Sequence, residues 1–387
     1  MSPLRIVLGD HTLAYYLQGG GHWMVYLQYL LGLKALGHEV FFLELLWSSG
    51  DAGQDRQRIA SFFDRMRGYN LDEQCAVLFF NWDSPAQDFD LAEVFGRSRT
   101  DTREIIKGAD LFWNNCCGIK QPLLGMFRHR VLIDLDPGLL QVSALTKDLD
   151  FDQHQTFLSV GKKLHDPDCP VPTFGLKWNT FFPFVYLPMW TVAPDLGPTA
   201  PFSSITHWSW GKEQFFQNRL ISTSKRDAYL RYLELPRHCK RSFQLAASIF
   251  PTDNSGDREL LERNGWELIE PWRVAASPED YQTYINKCRA EISCPKPIFR
   301  ELKTGWFSDR SACFLASGRP VLTEDTGFPE HLPTGEGLLV FHNLAEAVAG
   351  VAEIDANYAR HMRAARQLAE EYLDSSRVLS AMLEACV

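Results

Sequence analysis

The stretch Lys303–Phe328, KTGWFSDRSACFLASGRPVLTEDTGF, decides how this chain is read. It predicts a tight loop, a short helix, then a buried strand followed by a second glycine turn. Ser308 stands where a helix is capped, and Asp309 complements the positive end of the helix dipole. Gly318 marks the helix stop, and Arg319-Pro320 prevents its continuation. Val321-Leu322-Thr323 is the strand that follows. A glycine-preceded helix start presents free backbone N–H groups to an anion such as a nucleotide diphosphate. By spacing alone, the same residues make a plain loop–helix–strand unit in which Gly305 and Gly318 only shape turns.

Working outward, the flanking sequence repeats this alternation. Ser204–Trp208, Phe243–Ala247, Trp266–Ile269, Ala290–Ser293, Pro320–Thr323 and Leu338–Phe341 read as strands, with helical segments between most of them; Asp280–Lys287 is one such helix. Prolines recur at 167, 170, 172, 183, 188, 194, 198 and 201, which marks a linker before this half. At the N-terminus, Arg5–Gly9 is a strand and Gly19-Gly20-Gly21 ends the next loop. His22–Leu36 then reads as a helix, with Trp23, Leu27, Leu30 and Leu31 on one face. Gly37 stops it and Glu39–Leu43 is a second strand. Strand, helix and strand in this order form a βαβ unit and so a parallel sheet. Asp110–Trp113 and Val131–Leu135 are later strands of that sheet. The glycine run is not G-x-G-x-x-G and is weak evidence for a dinucleotide site. Near the C-terminus, Tyr358, Met362, Ala365, Leu368 and Tyr372 recur at helix spacing. Asp374-Ser375-Ser376 breaks the run, and a short last helix carries Val378, Leu379 and Met382. The expected fold class is α/β, with domains over residues 1–195 and 196–355 and C-terminal helices over 356–387.

The 387 residues are enough for two domains. With 45% hydrophobic and 22% charged residues, the composition is that of a globular protein. A net charge of −9 argues against nucleic-acid binding through a broad basic face, while leaving room for a local basic pocket. The nine cysteines include no Cys-x-x-Cys pair, and Cys116-Cys117 are adjacent. They read as reduced thiols of a cytoplasmic protein. The opening MSPLRIVLGDH leads directly into a strand without a charged-then-apolar signal segment. The apolar run Phe181–Val192 is broken by Pro183 and Pro188, so no membrane span is expected.

The 303–328 run resembles the donor-binding half of glycosyltransferases of the GT-B architecture, and the likeness extends more weakly over most of the chain. It implies that both domains are Rossmann-like and doubly wound and face a central cleft, with a last helix crossing back to the first domain. It implies a nucleotide-diphosphate sugar as donor, used as substrate with no separate cofactor. The acceptor would be a small molecule, such as a natural product, or a glycan.

His22 follows the glycines at the start of the first helix. In inverting enzymes of this architecture with a Gly-His start, that histidine is the general base. A histidine has a suitable pKa, and a helix N-terminus lowers it further and keeps the ring neutral. His11 is a substitute. The orienting carboxylate is assigned to Asp136, at the end of a predicted strand, with Asp110 behind it. Asp134-Leu135-Asp136 and Asp148-Leu149-Asp150 also fit an Asp-x-Asp metal pattern, but the resemblance implies that helix dipoles and cations hold the diphosphate and that no metal is bound.

For the donor, Gly305, Ser308 and Asp309 would meet the diphosphate, with Arg310, Lys303 and Lys212 as cations. Arg289 and Glu291 would hold the base or ribose. Asp325, Thr326 and Gly327 would bring backbone close to the sugar. The chain departs from the retaining pattern Glu-x7-Glu, having Gly305 and Cys313 at those two places. Either the reaction inverts through a base such as His22, or the carboxylate work is done elsewhere, or catalysis has been lost. Three readings follow: a nucleotide-sugar-dependent transferase, a transferase-like protein that binds a metabolite or partner without turnover, and a nucleotide-sugar epimerase.

Overall fold

The computed structural model describes residues 2–209, 213–249 and 256–387. Eight strands make the first sheet: β1 (Arg5–Asp10), β2 (Glu39–Trp47), β3 (Cys75–Phe80), β4 (Glu93–Phe95), β5 (Leu111–Asn115), β6 (Arg130–Asp134), β7 (Thr156–Ser159) and β8 (Trp178–Thr180). Their order is β4-β3-β2-β1-β5-β6-β7-β8. Only β4 runs antiparallel to its neighbour. Parallel strands need crossover helices on both faces, and β2 accordingly reads as an almost unbroken apolar run whose Val40–Leu46 are all buried.

The second sheet follows from β9 (Phe202–His207). After a hairpin of β10 (Gln214–Phe216) and β11 (Arg219–Ile221) come β12 (Phe243–Ser248), β13 (Trp266–Ile269), β14 (Ala290–Ser293), β15 (Val321–Glu324) and β16 (Leu338–Phe341). The order β13-β12-β9-β14-β15-β16 is parallel throughout. Each sheet therefore has one place where the winding reverses: between β1 and β5 in the first, between β9 and β14 in the second. Open parallel sheets bind ligands at the carboxyl ends of the strands flanking such a point.

The first helix is Gly20–Ala35, so Gly20 and Gly21 lie inside it. These glycines answer to steric contact with the other half of the molecule. A Cβ on Gly20 would lie 2.1 Å from Ser277 O, and the Gly20 N–H donates to Ala275 O at 2.8 Å. The chain returns to the first half at its end. Val378, Leu379, Met382 and Leu383 of the last helix (Ser375–Glu384) share one core with Leu27, Leu30 and Leu33 of the first. Arg319 is fully buried; its guanidinium donates to Tyr358 Oη (3.0 Å), Pro194 O (2.8 Å) and Asn286 O (2.5 Å). It thereby ties the proline-rich linker to the second half. No helix among the described residues is long and apolar enough to cross a membrane.

Candidate active site

The carboxyl ends of the two sheets face one cleft of about 1040 Å³. On the first-sheet side, β1 ends at Asp10, which is only 3% exposed. Its carboxylate accepts hydrogen bonds from Thr12 N (3.2 Å) and from the Thr12 hydroxyl. That hydroxyl has one proton and spends it on Asp10. Its 2.6 Å contact with His22 Nε2 must therefore be one in which Nε2–H donates. The relay Asp10–Thr12–His22 thus leaves Nδ1 as the unprotonated nitrogen, and Nδ1 has no hydrogen-bond partner among the described residues. The ring is held edge-on by Tyr16 and Tyr26, with centroids at 5.7 and 5.3 Å. Burial lowers the His22 pKa below its ordinary value, partly offset by the charges of Asp10 and, from across the cleft, Asp309. A neutral ring with a fixed tautomer is the form a general base requires.

On the second-sheet side, cations gather where β9 and β14 part. Arg310, in the first turn of the helix Asp309–Ala316, donates to Ile205 O of β9 (2.8 Å) and Ser293 Oγ of β14 (3.1 Å), and pairs with the buried Glu291. That pair is neutral as a unit. Lys225 is the uncompensated charge. It is 8% exposed, its Nζ donates to Cys294 O at 2.9 Å, and no carboxylate among the described residues lies within ion-pair distance. Burial, reinforced by Arg310 and Lys296, pushes its pKa down to about 7. Lys296 reaches across the cleft to Asp136 at 2.8 Å.

The cleft gathers His22, Asp136, Ser308, Asp309 and Arg310 from the residues the sequence singles out. Asp136 is engaged with Lys296, and the carboxylate beside His22 is Asp10. The neighbouring Asp134 is fully buried, accepts from Gln141 Nε2 and Ser159 Oγ, and is raised to about 6 by burial. The Asp-x-Asp triplet therefore does not present two carboxylates to one point. Ser308 is the N-cap residue of its helix, but its hydroxyl makes no capping bond.

The remaining expected donor residues are placed elsewhere. Arg289 pairs with Asp355 (2.6 Å) under the Tyr358 ring, and Glu291 is enclosed with Arg310. Gly305 and Gly327, both at positive φ, pack against Lys163 of the first half. The Gly305 N–H is already spent on Thr326 O (2.8 Å), and the Thr326 hydroxyl donates to Trp306 O. Asp325 takes a bond from Gly327 N (2.7 Å) and faces His342 (3.1 Å). Lys303 pairs with Asp168 (3.2 Å). Gly305, Gly327 and Lys303 thus meet the first half, while Arg289, Glu291, Asp325 and Thr326 are bonded within the second. Lys212 lies outside the described residues. Sequence reading did not single out Asp10, Thr12, Asn115, Lys225 or Lys296 as site residues. The signal available for Asp10 and Thr12 was their place at the carboxyl end of the first strand, beside His11. Among the described residues, no three His, Cys, Asp or Glu side chains are grouped so as to hold a metal ion.

No protein-family model matches the chain, and no curated protein matches it in sequence. Solved structures do match over nearly its whole length. One is an α-glucosyltransferase in complex with UDP and a 13-mer DNA containing a central A:G mismatch, with a TM-score of 0.62, 10% identity and 99% of both chains covered. A second is HepE of Anabaena in complex with UDP and glucose, with a TM-score of 0.59, 12% identity and 98% of both chains. A third is a sucrose-phosphate synthase from Thermosynechococcus elongatus, with a TM-score of 0.53, 10% identity, 98% of this chain and 97% of that one. The two reversing parallel sheets, the cleft between their carboxyl ends and these matches agree: the chain has the GT-B fold of these glycosyltransferases.

Proposed function

We propose that this protein is a glycosyltransferase that takes a sugar from a nucleotide-diphosphate donor and passes it to a small-molecule or glycan acceptor with inversion. The observation that carries the reading is the pairing across one cleft of an oriented neutral histidine with a buried, uncompensated lysine. The nucleotide diphosphate lies against the β9–β14 crevice, where Lys225 and Lys296 meet its charge. His22 Nδ1 accepts the proton of the acceptor hydroxyl as that oxygen attacks the anomeric carbon. The bond from that carbon to the diphosphate breaks, and the leaving oxygen's negative charge grows beside the lysines. UDP in the HepE and α-glucosyltransferase structures supports a uridine donor. DNA accompanies one of those neighbours, but this chain's net charge of −9 favours an uncharged acceptor.

A thermal-shift screen against UDP, GDP, dTDP and their glucose derivatives tests the reading. One nucleotide family is expected to raise the melting temperature by mass action. Transfer with that donor is then expected to fail in His22→Ala. A protein that binds none of these nucleotides is not a transferase of this kind.

A further inference from the structure

Asn114 and Asn115 end the same strand but live differently. Asn114 is fully engaged: its Nδ2 donates to Ile119 O (3.0 Å), its Oδ1 accepts from Ile119 N (2.9 Å), and His154 Nε2 lies 3.0 Å away. Asn115 is also buried, at 3% exposure, yet neither its Oδ1 nor its Nδ2 has a hydrogen-bond partner among the described residues. An amide buried in this way costs stability unless something satisfies it. Two placements show where a partner would come from. Asn115 lines the cleft, and it lies on the face of β5 that Trp113 turns toward Tyr29 of the first helix, the helix that carries His22. The pairing of β1 with β5 sets Gly9 opposite Asn114, so Asp10 and Asn115 are the next residues out on either side of the winding reversal. His11 Nδ1, 3.8 Å from Asp10, is a second buried polar atom without a hydrogen-bond partner among the described residues.

We propose that Asn115 positions the acceptor by binding the hydroxyl adjacent to the one that His22 deprotonates, so that the acceptor presents a vicinal diol, as a sugar ring or similar polyol does. An amide supplies a carbonyl acceptor and two N–H donors, and a hydroxyl returns a donor and an acceptor, so one neighbouring hydroxyl can engage both the oxygen and the nitrogen. A lone-hydroxyl acceptor leaves the amide buried and unpaired, and sites built to bond a hydroxyl discriminate strongly against analogues that lack it. The inference rests on the transferase reading, because that reading places the acceptor on the first-sheet side.

The test compares wild type with Asn115→Leu and Asn115→Ala. Without ligand, Asn115→Leu is expected to melt above wild type by about 1–2 °C, because it removes an unpaired amide at similar volume. Asn115→Ala is expected to melt no lower than wild type. Titration of the UDP-loaded protein by NMR with methyl β-glucopyranoside and with cyclohexanol should show the diol-bearing probe binding at least about tenfold more tightly, with both substitutions erasing that preference. A clear loss of melting temperature in both variants would mean that the amide is structural, and equal binding of the two probes by wild type would remove the diol; either result overturns the proposal. UDP binding in the same samples reports separately on the transferase reading. If UDP and the other nucleotides fail to bind, both readings fall; if a nucleotide binds and the diol preference is missing, only this one does.

Discussion

Thr12 sits between a buried carboxylate and the histidine, and its single hydroxyl proton decides the histidine tautomer. Thr12→Val keeps the shape and breaks the relay. It is expected to lower kcat by roughly ten- to a hundredfold, the usual cost of losing a group that orients a reactive side chain, with donor KM little changed. Steady-state kinetics with the donor from the thermal screen would show this, and unchanged kcat would remove the relay from the mechanism. The pH profile follows from the lowered His22 pKa. A base works when deprotonated, so the acidic limb of kcat/KM should fall below the ordinary histidine value of about 6.5. Lys225 gives the opposite dependence on the donor side. Its free-state pKa of about 7 means that it is neutral above that pH and charged below it. A diphosphate favours the charged form, so UDP binding should draw in a proton and weaken by up to about tenfold per pH unit above 7. Calorimetry in buffers of different ionisation enthalpy reads that proton directly, and Lys225→Met should abolish its uptake.

The helix Asp309–Ala316 shows how an element can be legible while its use is not. Its start at Ser308 and Asp309 and its stop at Gly318, at φ +68°, were readable because each rests on local backbone chemistry. What Ser308 bonds to was not readable, since a hydroxyl at the N-cap position can turn toward the cleft. Ser308→Ala is therefore expected to cost clearly less than the ~1 kcal/mol typical of a bonded N-cap. Chemical denaturation checks this, and a full loss would show that the cap forms in solution. The strands read from sequence were the apolar runs bounded by turns, such as Trp266–Ile269 and Leu338–Phe341. Those overlooked include the short strands β7 and β8, the latter at the sheet edge, and β3 with its CAVLFF run. The site was less legible than the fold. Asp10, Lys225 and Lys296 are far apart in sequence and line one cleft because both sheets reverse their winding at points that face it. Gly305 and Gly327 show the same limit: a glycine that packs closely against Lys163 looks in sequence like one demanded by a phosphate.

At the scale of the whole molecule, function depends on how the halves meet, and two contacts test this. A methyl group at Gly20 would collide with the Ser277 carbonyl, which is backbone and cannot swing aside. Gly20→Ala is expected to destabilise by about 1–3 kcal/mol or to hold the halves apart, seen as a lower denaturation midpoint or a larger radius by small-angle scattering. The second contact is the Asp136–Lys296 bridge, with Lys296 mostly buried and Asp136 about a third exposed at the side chain. It spans the cleft from the first half to the second, and it occupies a lysine the diphosphate would use. The carboxylate and the incoming phosphates then compete for one cation. Asp136→Asn should relieve both the competition and the like-charge repulsion. Because the pair is partly screened, the gain is modest, on the order of two- to fivefold tighter UDP binding. A carboxylate that orients His22 would give the contrary pattern: unchanged UDP affinity and a large fall in kcat on the same substitution. Measuring UDP affinity and turnover together in Asp136→Asn therefore separates a latch between the halves from a member of the catalytic relay; the 2.8 Å bridge to Lys296 is the observation that favours the latch.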